Sequence, residues 1–252
     1  MLKQAVYAAT GVAQRVKTRH GNKDQTFMPD LVRAVMRRNP QFQKLDALLA
    51  GLARVYQEST EDKGTQAVGV CSAADSEGKT MMALALAATL AIRGGEQVLF
   101  VEADLRGPTL ARDFQLSTGP GLADYLRGEA SCEDLCQRTS LEQLSVVTAG
   151  NVSDSPIELV TKARLQELMG CFRSRYRHIV IDIPAVLEYA EAGRLLEAVD
   201  RVILVIAAGR VSRSVCTMAV TTIGRDKLLG VVLNRAQLSA PLWLNRILSP
   251  VR

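Results

Sequence analysis

From Ala67 onward the chain alternates short apolar runs with longer stretches of helical character. The runs Val68–Cys71, Val98–Val101, Leu144–Val147, Ile179–Ile183, Val202–Ala207 and Leu229–Leu233 are rich in Val, Ile and Leu. Runs this short and this continuous predict strands buried on both faces, not strands with one wet side. Separated by helical stretches, they predict an α/β fold: a doubly wound, mostly parallel sheet covered by helices on both faces. In that class ligands collect at the carboxyl ends of the strands. The region before about Lys63 has no strand signal; Leu31 to Tyr56 predicts one or two helices, interrupted near Asn39-Pro40. The pattern therefore divides the chain into a mostly helical arm (1–64), an α/β domain (65–236) and a short tail (237–252). No internal repeat or low-complexity segment stands out.

The first apolar run leads into Ala74-Asp75-Ser76-Glu77-Gly78-Lys79-Thr80, and Thr80 to Arg93 reads as a helix stopped by Gly94-Gly95. Strand, loop and helix in that order are the setting of a Walker A phosphate loop. The unpaired N–H groups at the helix start can hold phosphate oxygens, and the helix dipole favours their charge. Lys79 can reach the β- and γ-phosphates, and the Thr80 hydroxyl can ligate Mg²⁺. The strict motif opens on Gly, whereas Ala73 stands there. Acidic residues also follow the buried runs: Glu102 and Asp104 after the second, Asp182 at the end of the fourth. A carboxylate at a buried strand end has little solvation of its own and needs a partner. A metal ion would supply one, with Asp182 in the Walker B role and Asp104 as a second ligand or proton acceptor. The expected site is thus catalytic Lys79 and Asp104, the loop from Ala74 to Thr80 around ATP or ADP, and Thr80, Asp104 and Asp182 around Mg²⁺.

Charge adds a feature outside the α/β region. Of the chain's net +5, residues 1–40 contribute eight basic residues (Lys3, Arg15, Lys17, Arg19, Lys23, Arg33, Arg37, Arg38) against Asp24 and Asp30, leaving the rest close to neutral. Such an arm suits an acidic protein surface or an anionic membrane. With few aromatics and no recognised motif, nucleic acid is not an expected partner. No apolar run is long enough to span a bilayer, and the basic N-terminus lacks a signal peptide's apolar middle. A cytoplasmic chain, peripheral at the inner membrane, is expected. Cys71, Cys132, Cys136, Cys171 and Cys216 form no CxxC pair and no framework spacing, which reads as packing.

Taken as an ordered set, the motifs resemble the cytoplasmic ATPase domain of the bacterial tyrosine kinases of capsule and exopolysaccharide export, within the P-loop class of the partition and cell-division ATPases. SAADSEGKT (Ser72–Thr80) resembles that family's Walker A, EADLRGP (Glu102–Pro108) its additional aspartate motif, and DIPAVL (Asp182–Leu187) its Walker B. GLADYLRGEA (Gly121–Ala130), the segment from Ser155 to Leu159, and VVLNR (Val231–Arg235) extend the likeness, which runs from about Ala67 to Arg235. The resemblance implies that Asn234 lies by the adenine. It also implies the cytosolic part of a membrane polysaccharide-export protein as partner, and association into a homo-oligomer. Asp75-Ser76 replaces the family's Pro-Gly, Glu102 its first Asp and Ala185 its second Walker B Pro. The family's C-terminal tyrosine cluster is missing, because no tyrosine follows Tyr189. The resemblance therefore points to a MgATP-binding regulator of exopolysaccharide or capsule production that is a weak or degenerate kinase. Two alternatives stay open: a membrane-associated positioning ATPase of the partition class, and a non-hydrolysing nucleotide-dependent scaffold. Against the first stands the lack of any Lys between Ala67 and Gly78.

Overall fold

A computed structural model of the chain describes residues 6–8, 40–58, 66–113, 116 and 119–236. The boundary expected at 64/65, the helix expected over 31–39 and the tail at 237–252 lie outside the described residues, as does most of the basic arm. The strands are β1 (Val6–Ala8), β2 (Gln66–Ser72), β3 (Val98–Glu102), β4 (Gln137–Arg138), β5 (Leu144–Val147), β6 (His178–Asp182), β7 (Arg201–Ala207) and β8 (Leu228–Asn234). They form one sheet in the order β1-β8-β7-β2-β6-β3-β5-β4. Every neighbouring pair is parallel except β4 with β5.

All six apolar runs are strands. Two further strands were not expected. The region read as free of strands supplies β1, whose residues pair with Val231, Val232 and Leu233 of β8. Three residues are too few to carry a period, and such an edge addition is made by backbone hydrogen bonds. The two-residue β4 is polar and equally silent in the pattern.

The helices are α1 (Pro40–Glu58), α2 (Lys79–Gly94), α3 (Leu110–Asp113), α4 (Leu122–Arg127), α5 (Pro156–Leu159), α6 (Lys162–Arg173), α7 (Glu191–Ala198) and α8 (Arg213–Ile223). They build two cores, one on each face of the sheet. Successive residues of a strand point to opposite faces, so each apolar run divides between them. Val68 and Val70 of β2, Val98 and Phe100 of β3, and Ile203 and Val205 of β7 pack with α1 and α2. Ala67 and Cys71, Leu99 and Val101, and Val202 and Leu204 join the other core with α4, α6, α7 and α8. The face of α2 turned from the sheet is covered by α1, which explains why α2 is apolar nearly all round. Leu49, Leu52, Ala53 and Tyr56 of α1 are buried there, and the Tyr56 hydroxyl donates to the Gln66 carbonyl at 2.9 Å.

The cysteine expectation needs a correction. Cys132, just after α4, and Cys171, in α6, are joined in a disulfide, while Cys71, Cys136 and Cys216 are free. The partners are 39 residues apart, so no local spacing announced them. Among the described residues, no helix is long and apolar enough to cross a membrane.

Candidate nucleotide site

Strand β2 lies between β6 and β7, so the loop after it emerges among the carboxyl ends of three strands. Helix α2 begins at Lys79, with Gly78 before it at φ 95°. A Cβ at Gly78 would collide with the Asn234 amide, so glycine is required there both by conformation and by space. Ser76 also adopts a left-handed backbone, at φ 60°. This is the residue at which the family pattern has Gly.

The loop is scaffolded by side chains from distant strands. Glu77 is buried; one of its carboxyl oxygens accepts the Ala74 N–H at 2.9 Å and the other the Ala207 N–H, at the end of β7, at 2.8 Å. The Asn234 amide donates to the Glu77 carbonyl at 2.8 Å, and its Oδ1 accepts the Arg235 N–H at 2.9 Å. Arg210 donates to the Ser76 carbonyl at 3.3 Å. The Asp75 N–H is directed at Glu188 Oε2, 3.3 Å away, and the Tyr189 hydroxyl donates to Asp75 Oδ2 at 2.5 Å. Of the expected loop donors, the amides of Ala74 and Asp75 are thus engaged within the protein. Those of Ser76 to Thr80 stand at the start of a sixteen-residue helix.

The acidic residues expected around a metal converge on the same spot. Lys79 Nζ lies 2.7 Å from Asp104 Oδ2 and 3.9 Å from Asp75 Oδ1. Burial opposes the Lys79 charge, but the hydrogen bond and ion pair with Asp104, reinforced by Asp182 and Asp75, hold its pKa above the ordinary value. Asp182 is buried with neither carboxylate oxygen accepting a hydrogen bond. Burial pushes its pKa up to about 7; the Lys79 charge and the nearby Thr80 hydroxyl pull it down, while Asp104 and Glu102 raise it further. A buried carboxylate without donors is a costly group unless a cation completes it. Two carboxylates and a hydroxyl are the sparse all-oxygen set suited to Mg²⁺, which fills its other positions with water and phosphate. Among the described residues, no three His, Cys, Asp or Glu side chains form a metal cage by themselves.

Glu102 has a different job from its neighbours. It is buried, and its carboxyl accepts the N–H groups of Thr109 and Leu110, at 2.7 and 2.8 Å, and of Ala149 at 3.0 Å. It ties the segment after β3 to the end of β5. Burial still raises its pKa, despite those three bonds. Sequence reasoning missed Tyr189, Glu188, Glu191 and Arg210. Each meets its partner in the phosphate loop or at Arg106 from more than 80 residues away along the chain, a pairing that no local spacing marks.

No family model matches the chain. It is 32% identical over 180 residues to the tyrosine-protein kinase YwqD of Bacillus subtilis, covering 71% of this chain and 76% of that one. The chain belongs to the bacterial tyrosine-protein kinases. A putative member of this family, EpsB of Ralstonia solanacearum, is 33% identical over 169 residues, covering 67% of this chain but only 22% of that much longer relative. Among solved structures, the kinase domain of VpsO superposes with a TM-score of 0.67 at 33% identity, over 79% of this chain and all of that one. The septum site-determining protein MinD of Pyrococcus horikoshii, solved with Mg-ADP, has a TM-score of 0.59 at 24% identity, over 74% of this chain and 79% of that one. That likeness shows the shared fold: a mostly parallel P-loop sheet common to the kinase and cell-division branches.

Proposed function

We propose that the chain binds MgATP and MgADP at the loop from Ala74 to Thr80 and acts as a regulator of exopolysaccharide or capsule production and export. The convergence of Lys79, Thr80, Asp104 and the buried Asp182 at the carboxyl ends of β2, β3 and β6 carries this reading. Lys79 would turn from Asp104 to the phosphates, and the amides of Ser76 to Thr80 would cradle them. Thr80, Asp104 and Asp182 would hold Mg²⁺, which in such sites neutralises charge developing on the transferred phosphoryl group. Alternatively Asp104, released from Lys79, would accept a proton from an attacking hydroxyl. Asn234 braces the loop through Glu77 and lies beside Gly78, from where it would border a bound nucleotide. The chain works in this reading as a cytoplasmic partner of a membrane polysaccharide-export protein, assembled as a homo-oligomer. Residues 190–252 carry no tyrosine, so phosphoryl transfer between neighbours would need an acceptor elsewhere. Calorimetry with MgADP tests the site. Lys79→Ala should lose at least about tenfold in affinity, and Asp104→Asn and Asp182→Asn should lose more of the Mg²⁺-dependent than of the metal-free affinity. Equal affinity in wild type and Lys79→Ala would remove the assignment.

A further inference from the structure

The segment after β6 reaches across to the phosphate loop and grips it at Asp75, one of the two positions where this chain departs from the family's Pro-Gly. The Tyr189 hydroxyl donates to Asp75 Oδ2 at 2.5 Å, while Glu188 accepts from the Asp75 backbone. The ring of Tyr189 is itself held in place. The Arg106 guanidinium lies 5.3 Å from its centroid and donates twice to Glu191, whose carboxyl is buried at the start of α7. Tyr56, Tyr125 and Tyr176 are buried, so among the described side chains Tyr189 is the one tyrosine with substantial access to solvent.

An acid in a phosphate loop is an electrostatic conflict: it repels the polyphosphate and competes for the loop lysine. Asp75 has both partners within reach, Lys79 at 3.9 Å through one oxygen and Tyr189 at 2.5 Å through the other. The short bond from a hydroxyl to a carboxylate is the stronger contact, and it restrains that oxygen from turning toward Lys79. We propose that Tyr189 is a positioning residue of the nucleotide site, whose hydroxyl restrains the Asp75 carboxylate from closing further on Lys79 and on the phosphates. This rests on the nucleotide reading above. A phenol is well suited to that role. The hydrogen bond to Asp75, aided by partial burial and by the Asp75 and Glu188 charges, pushes its pKa up to about 12, so it remains a donor throughout the neutral range.

The test uses the full chain as wild type, Tyr189→Phe, Asp75→Asn and the double variant, in MgADP calorimetry and in nucleotide-free titration of phenol absorbance. Tyr189→Phe should weaken MgADP binding about three- to tenfold, since it frees the carboxylate to swing inward. Asp75→Asn should bind at least as tightly as wild type. In the Asp75→Asn background the loss of the hydroxyl should change affinity by less than about twofold, a coupling that an unrelated structural role would not produce. Without nucleotide, the phenol absent from Tyr189→Phe should titrate at lower pH in Asp75→Asn than in wild type. Equal MgADP affinity in wild type and Tyr189→Phe, additive effects in the double variant, or a phenol that titrates identically with and without the Asp75 charge would each overturn the proposal. A wild type that binds no MgADP would instead overturn the nucleotide reading, and the nucleotide-free titration would still decide whether Tyr189 holds Asp75.

Discussion

Ser76 carries a backbone conformation that its side chain opposes. At φ 60° a Cβ crowds the following carbonyl, a cost of roughly 1–2 kcal/mol that glycine does not bear. Glycine gives back part of that gain through its freer unfolded chain. Chemical denaturation should therefore find Ser76→Gly equal to wild type or more stable, by up to about 1 kcal/mol, and Ser76→Val less stable by about 1–2 kcal/mol, since a β-branched residue tolerates this region worst. A second residue sets a pH dependence. His178 is buried at the start of β6, with Nε2 2.8 Å from Glu96 and Nδ1 without a partner. Burial depresses its pKa below 6.5, although the hydrogen bond and charge of Glu96 raise it and Arg177 lowers it further. The unfolded chain then binds this proton more readily than the native state does. The contribution of His178 is complete above pH 6.5 and is lost as pH falls toward its native pKa. Urea denaturation at about pH 7.5 and about pH 5.5 should show wild type losing stability at the lower pH, and His178→Gln losing less.

The elements show where reading the chain succeeds and where it stops. Runs such as Val98–Val101 and Val202–Ala207 were legible as buried strands because a doubly covered parallel sheet leaves no polar face to confuse the pattern. Lys79 and Thr80 were legible as candidates because a loop between a strand and a helix fixes their spacing, and Asp104 and Asp182 because a carboxylate at a buried strand end needs a partner. Three-residue β1 was not legible, since edge pairing with β8 needs no particular side chains. Nor was the placement of α1. Its sequence predicts a helix in an arm, but its residues Leu49 to Tyr56 are packed over α2 as part of a core. That packing makes a prediction at the same scale. Leu52 is buried, and Leu52→Ala should cost about 2–4 kcal/mol and shift the unfolding of the whole α/β unit, followed by far-ultraviolet dichroism. An unchanged midpoint would mean that α1 contributes nothing to the cooperative unit.

At the scale of the molecule, chemistry and charge occupy different parts of the chain. The phosphate loop, Asp104 and Asp182 sit at one end of the sheet, held by contacts such as Glu77 to Ala207 that join residues 130 positions apart. No periodicity could reveal those contacts, because they depend on which strand ends the topology brings together. The surplus of basic residues lies in positions 1–40, all of them outside the described residues, on a segment whose Val6–Ala8 is a strand of the sheet. Deleting the arm would remove that strand, so its charge is better tested by substitution. Each Lys or Arg near an anionic leaflet contributes about 1 kcal/mol, and salt screens the attraction. Changing Arg15, Lys17, Arg19 and Lys23 together to Gln should therefore reduce sedimentation with phosphatidylserine-containing vesicles by at least about tenfold at low salt. Wild type should lose the same binding as salt rises, and vesicles of phosphatidylcholine alone should recruit neither protein. MgADP affinity should be equal in the two, since β1 and the phosphate loop are untouched. Vesicle binding that survives the substitutions would assign the arm's charge to solvation and move the docking role to the apolar Pro241-Leu242-Trp243-Leu244 segment.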